Sequence, residues 1–252
     1  MPSLNRFAAV GALAAAVAVS ISACGSGGSS SSGTTGSSAL AGKSADQIVQ
    51  KSVSDLKAAS SVRITGTVNN NGQGITLNLT DVAAQGCQGT IGLTASATAT
   101  GSAAMSGTAS LVVVGSTVYM KLDQSFFKNL GLPESIFADV TGKYIKLTAK
   151  SDLASFAQLC DPSNLSSSFA KEDTGFVKSG TATIGGQPAL AFTQPKHAGS
   201  GTVYISDSAT PEIVRIAGTG SQGSIDFSDY NAHATVTAPP ASQVVDGSKF
   251  GL

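Results

Sequence analysis

Near residue 60 the hydrophobic period of the chain switches, and that switch limits the fold more than any other feature. Before it, "SADQIVQKSVSDLKAAS" sets Ile48, Val49, Val53 and Leu56 on one stripe at helical spacing, with Lys51, Asp55 and Lys57 elsewhere. Ser44, followed three residues later by Gln47, supplies a capping box, so a helix with one buried face starts there. After it, Val62, Ile64 and Val68 alternate with Arg63, Thr65 and Thr67. Beyond an Asn/Gly turn, Ile75, Leu77 and Leu79 alternate with Thr76, Asn78 and Thr80. Alternation of period two puts one apolar face on each strand, which predicts half-buried antiparallel strands.

The same texture continues through "GTIGLTASATAT", "MSGTASLVVVG" and "TVYMKLD", the last two separated by the turn pair Gly115 and Ser116. An interruption follows, "QSFFKNLGLPESIFADVTG", whose bulky residues suit short helices, and then "KYIKLTA" as another strand. "SDLASFAQLCDPSNLSSSFAKED" reads as helical, with Asp161 as a cap and Pro162 in the first turn, where proline is tolerated. Strands return in "FVKSGTATIGGQPALAFTQP", "GTVYISD", "PEIVRIAGTG", "SIDFSDY" and "ATVTAPP". Antiparallel strands with a few inserted helices make this an α+β chain.

The N-terminal end has a different grammar. "MPSLNRF" carries Arg6 and leads into "AAVGALAAAVAVSIS", an uncharged apolar run in the layout of a secretory signal peptide. At about 15 residues the run is shorter than the roughly 20 that a bilayer-spanning helix needs. Ile21, Ser22, Ala23 and Cys24 resemble the bacterial lipobox, which implies that diacylglycerol is attached to the Cys24 thiol and that residues 1–23 are removed; a chance cysteine in a secreted protein is the alternative. Two acyl chains hold a protein at a membrane where one does so only marginally. Residues 24–43 then form a Gly/Ser-rich tether, and a flexible coil of about 19 residues has a root-mean-square span of roughly 25 Å. Residues 44–252 are read as one domain, since no second low-complexity boundary divides them.

Composition removes several function classes. Formal net charge is zero and only 12% of residues are charged, so there is no basic stripe to offset nucleic-acid phosphates. Apart from Cys24 there are two cysteines, Cys87 and Cys160; in an exported chain an even pair reads as a disulfide, with two separately buried thiols as the alternative. "GTGSQG" matches the dinucleotide fingerprint at Gly218, Gly220 and Gly223, but a strand-like "SIDFSDY" follows where a helix would have to receive the pyrophosphate, so it reads as a hairpin turn. Ser54 and Lys57 form S-x-x-K without the S-D-N and K-T-G elements of penicillin-recognising enzymes. His197 and His233 read as surface residues, and "KEDTG", with Lys171, Glu172 and Asp173, as a solvated turn. Two separate histidines and one cysteine pair supply neither a metal site nor a catalytic constellation, and no cofactor is implied.

The lipobox, "ADQIVQKSVSDLKAASSVRITGTV", "GSTVYMKL", "GKYIKLT", "GTVYISDSATPEIVRI" and "IDFSDYNAHATVTAP" together resemble the LppX/LprG family of actinobacterial cell-envelope lipoproteins, whose fold is similar to that of the carriers LolA and LolB. The resemblance implies an incomplete antiparallel β-barrel, a LolA-like half-barrel, curled around a few helices with an apolar cavity for acyl chains. Phe126, Phe127, Phe137 and Phe156 are the candidates for lining that cavity or the core around it, and Phe169 belongs to the same set of helical aromatics. The expectation is a non-enzymatic protein, lipid-anchored through Cys24 on the extracytoplasmic face of the cell membrane, that binds a lipid or glycolipid and works with an envelope transport partner. The alternative is an interaction or sensor lipoprotein with the same half-barrel and no lipid cargo.

Overall fold

The computed structural model describes residues 40–70, 72–95, 106–129, 133–148, 150–162, 164, 174–197 and 199–252. The leader, Cys24, the tether up to residue 39, Phe169 and the "KEDTG" residues 171–173 lie outside them. A capped helix opens the described chain: α1 spans Ala45–Ala58, the Ser44 hydroxyl accepts from the Gln47 N–H, and the Gln47 side chain returns to the Ser44 N–H. Ile48, Val49, Ser52 and Leu56 form its buried face.

Five strands of a meander follow: β1 (Ser61–Asn70), β2 (Gln73–Val82), β3 (Gly86–Ala95), β4 (Gly107–Val114) and β5 (Thr117–Leu122). Two short helices, α2 (Gln124–Asn129) and α3 (Glu134–Val140), precede β6 (Tyr144–Lys146), and a 3-10 helix covers Asp152–Cys160. The second half supplies β7 (Val177–Ile184), β8 (Gln187–Thr193), β9 (Thr202–Ser206), β10 (Ile213–Ala217), β11 (Gly223–Ser228) and β12 (Val244–Asp246). All belong to a single 12-stranded sheet in the order β12-β6-β5-β4-β3-β2-β1-β11-β10-β9-β8-β7. Its two ends, β12 and β7, do not pair with each other, so the sheet is a curled, unclosed half-barrel. Among the described residues, every pairing is antiparallel except β12 with β6.

Register sorts the side chains cleanly. Ile64 lies opposite Leu79 and Phe227, Leu77 opposite Ile91, and Leu111 opposite Met120, and all of these are buried on the inner face. They join the apolar side chains of α1, α2 and the 3-10 helix in one core. Arg63, Thr65, Asn78, Thr80, Gln88 and Thr90 alternate with that set and point outward, as period two requires.

Sharp coiling is built in by glycine. Gly66 and Gly89 adopt φ of +146° and +154°, and a Cβ at either would press on the backbone of the neighbouring strand. Such φ values are open almost only to glycine.

Two sequence expectations need correction. "ATVTAPP" alternates like a strand, yet it has no strand pairing; it is an extended strap that lays Val236 against Val82 and Val112 on the outer face. The sheet position beside β6 is taken by β12. The stretch beginning at Ser151 is a 3-10 helix where a longer helix was expected, and its continuation past residue 164 lies outside the described residues. Among the described residues, no helix is long and apolar enough to cross a membrane.

Candidate functional site: the covered concave face

The concave face of the sheet is closed by several short pieces, each attached locally. Asp123 holds α2: its carboxylate accepts from the N–H groups of Phe126 at 2.7 Å and Thr108 at 2.6 Å, so the helix is anchored to the start of β4. Gly107 makes this approach possible, because a Cβ there would meet the Phe126 backbone at 2.5 to 2.8 Å. Asn129 adds a side-chain bond to the Ser106 carbonyl at the other end of α2.

The four phenylalanines expected at a cavity or core lie in this cover. Phe126 and Phe127 are each 1% exposed. Phe126 meets Phe156 edge-on with ring centroids 6.3 Å apart, and Phe127 meets Phe137 at 5.1 Å. The structure thus joins them as two aromatic pairs, one between α2 and the 3-10 helix and one between α2 and α3. A cleft of about 200 Å³ opens beside the second pair, with Lys128 and Glu134 on its walls.

Cys87 and Cys160 form a disulfide with Cα atoms 5.6 Å apart, which pins the end of the 3-10 helix to the inner face of β3. Beside it, Asp81 points inward at a position where the alternation would place an apolar residue, opposite Val62 and Cys87. A cleft of about 280 Å³ at this end is lined by Leu56, Lys57, Asp81, Cys160, Asp161 and other small residues. Burial, and then the neighbouring Asp161 charge, push the Asp81 carboxyl up to about 6, against a smaller lowering by the Val82 N–H.

A second group of acids joins Asp55 on α1 with Glu212. Asp55 pairs with Lys51, and the Glu212 carboxyl is raised, first by burial and then by Asp55. Burial also raises the Tyr230 phenol, which donates to the Ile213 carbonyl at 2.7 Å. Alternation and helical spacing gave no sign that these acids cluster; the one signal was the charged Asp81 at an inner-face parity.

Asp81 makes a testable pH signature. A carboxyl whose folded-state pKa exceeds its ordinary value of 3.8 binds its proton more tightly when folded, so it costs stability wherever it is ionised. The cost is full above about pH 6 and disappears as pH falls to about 4. Stability from urea unfolding should therefore rise across that window, by about 1 kcal/mol once the partial exposure of the group is discounted. Asp81→Asn should flatten this component, and equal slopes in the two proteins would contradict it.

His197 sits in a 3-10 turn and His233 is exposed in the strap, while Ser54 and Lys57 are exposed on α1. "GTGSQG" is the β10–β11 hairpin turn: the Gly218 N–H donates to the Gly223 carbonyl, and Gly220 and Gly223 have positive φ.

No family model matches the chain, and no curated protein does. Among solved structures, the chain is similar to LprF from Mycobacterium bovis, with 15% identity, a TM-score of 0.48, and coverage of 78% of this chain and 97% of that one. It is also similar to the lipoprotein LppX of Mycobacterium tuberculosis, with 15% identity, a TM-score of 0.40, and coverage of 76% and 97%.

Proposed function

We propose that this chain is a membrane-anchored lipoprotein that shelters the acyl chains of a lipid or glycolipid between its concave sheet and its helical cover, for transport within the cell envelope. The observation that carries this reading is the construction of the cover. A continuous apolar face, from Phe192 on β8 to Ile145 on β6, is closed by separate short helices with aromatic pairs at their contacts. Short pieces with few mutual contacts open at lower free-energy cost than the sheet itself. Each buried methylene is worth about 0.8 kcal/mol, so a chain entering beneath such a cover is held without specific polar contacts. The lipobox at Cys24 and the flexible tether support placement at the outer surface of the cytoplasmic membrane, and the sequence resemblance to the LppX/LprG family supports the cargo class.

The test is native mass spectrometry of the chain beginning after Cys24, incubated with phospholipids, diacylglycerols, triacylglycerols and glycolipids, together with its melting temperature. Retention of a long-chain lipid with a raised melting temperature is expected. At a hundredfold excess over Kd, the folded state gains about 2.7 kcal/mol by mass action. Absence of both retention and shift would leave the half-barrel as a protein-interaction surface.

The anchor is tested separately in cells. Cys24→Ala should move the full-length protein out of the membrane fraction and abolish acyl labelling. A variant that keeps its membrane association would remove the anchor.

A further inference from the structure

Besides fixing the end of the 3-10 helix, the disulfide brings two carboxylates into one cleft. Asp81 on β2 is the cross-strand partner of Cys87, and Asp161 is the chain neighbour of Cys160. Joining the two cysteines, with Cα atoms 5.6 Å apart, therefore carries the acids toward each other. Both line the cleft of about 280 Å³ between α1, the β2–β3 turn and the end of the 3-10 helix. Their meeting follows from register and covalent connectivity, so it persists as long as the helix end stays seated.

The other groups around Asp81 do not offset this pairing. From β1 and β3 it is faced by Val62 and by Cys87, which carries no charge in the disulfide. α1 contributes Lys57, the one cation among the lining residues, and its ammonium is not among the groups that shift Asp81. The Val82 N–H favours the carboxylate, but by less than burial and Asp161 oppose it. Two carboxylates sharing a partly dry site both ionise only at a cost, which is relieved either by a proton on one of them or by separation. The part that can separate is the helix end. A 3-10 helix has poorer hydrogen-bond geometry than an α-helix, and Ser151 at its start makes no side-chain cap bond. The same helix carries Leu153 and Phe156 of the cover, Phe156 lying against Phe126. Displacing it opens the concave face at this end, while the disulfide keeps it attached.

We infer that Asp81 and Asp161 form a proton-operated latch on the 3-10 helix of the cover: with Asp81 protonated the helix is seated, and with both carboxylates ionised it swings out about the Cys87–Cys160 bridge. Opening admits water to Asp81 and returns it toward its ordinary proton affinity, so by linkage the opening equilibrium rises as pH rises from 3.8 to about 6. The purpose of the latch, control of acyl-chain exchange, rests on the lipid reading; the latch itself is a property of the cover. Exchange is then faster at neutral pH than in acid.

The test is amide hydrogen exchange on the oxidised, lipid-free protein, expressed as protection factors so that the chemical dependence of exchange on pH is divided out. The amides from Ala154 to Asp161, the first and last of which donate to the Ser151 and Gln158 carbonyls, report on the latch. Their protection should fall by about fivefold between about pH 4.5 and pH 7.5, the linkage factor after discounting for partial exposure. The Ile136 and Thr141 amides that flank α3 should hold, since α3 does not line the cleft and its opening leaves Asp81 covered. Asp81→Asn should abolish the change, and Asp161→Asn should reduce it, because burial of Asp81 remains. A circular dichroism melt confirms that each variant is folded. Protection that is equal at the two pH values would overturn the latch, as would the same fall in either folded Asp81→Asn or the α3 amides. A second measurement separates the latch from its purpose. Release of a diacylglycerol with a fluorescent acyl chain, uncharged throughout this range, should be about fivefold faster at the higher pH. Amides that respond while no diacylglycerol is retained at either pH would uphold the latch and remove the lipid reading; retained diacylglycerol with unresponsive amides would do the reverse.

Discussion

Replacing Cys87 and Cys160 together by alanine is expected to lower the stability of the folded domain by about 4 kcal/mol, the chain-entropy value for a loop of this length. The bridge closes a sequence separation of 73 residues, which contains β4, β5, β6, α2 and α3, so the cross-link removes a large share of the freedom of the unfolded chain. It also fixes the end of a short segment that is otherwise held by apolar packing such as the Phe126–Phe156 pair. A 3-10 helix has poorer hydrogen-bond geometry than an α-helix and rarely persists alone, and Asp152–Cys160 rests on β2 and β3 at the end where the bridge lies. The measurement is the urea midpoint and slope of the double variant against the oxidised protein, with the reduced wild type as a second reference. A lower midpoint at an unchanged slope is a stability loss; a loss under about 1 kcal/mol would show that the unfolded chain is not substantially restricted by the bridge. The Asp81 pH signature reports on the same region. If the 3-10 helix lifts away in the double variant, Asp81 gains solvent and loses the nearby Asp161 charge, so its stability slope between about pH 4 and 6 flattens.

Gly89→Ala should cost about 3 kcal/mol, while Gly92→Ala, three residues along the same strand, should be neutral or slightly stabilising. At Gly89 the backbone sits at φ +154°, and a Cβ would press on the Asn78 carbonyl and approach the Leu79 Cα at 2.8 Å. Both obstacles are backbone atoms of β2, so they yield only if the strand pair separates. At Gly92, the nearest neighbour of a Cβ would be the Thr76 Cβ at 3.5 Å, an ordinary contact, and alanine restricts the unfolded chain. The pair of thermal or urea unfolding curves therefore tests whether the coiling of the half-barrel is set by this local backbone conformation. Equal effects at the two positions would mean that it is not.

Several elements were legible because their cause is local. The Ser44 and Gln47 capping box, the stripe of Ile48, Val49 and Leu56, the alternation along β1 and β2, and the glycines of the β10–β11 turn each express a preference carried by a few neighbouring residues. Phe126, Phe127, Phe137 and Phe156 were legible as buried candidates from bulk and position, but not their pairing, since Phe126 meets Phe156 across 30 residues of chain that only folding brings together.

The strap illustrates what alternation leaves open. "ATVTAPP" has the pattern of a strand, but a period of two says only that alternate side chains face one way. Val236 and Ala234 satisfy it by packing on the outer face of strands that are already paired on both sides. β12 escaped notice for the opposite reason: three residues carry almost no pattern, and their parallel match to Tyr144–Lys146 joins segments about a hundred positions apart. Asp81 was visible only as one more polar residue, and its burial beside Asp161 depends on where a disulfide sets the 3-10 helix down. Sequence by itself determined the kinds of element, their order, the inner and outer parity of the first strands, and a cysteine pair suited to a bridge, because propensity, capping and alternation act over a few residues. Tertiary structure alone decided the single unclosed sheet, the meeting of Asp81 with Asp161 and the aromatic pairs, because each of these arises from contacts between segments that no local preference encodes.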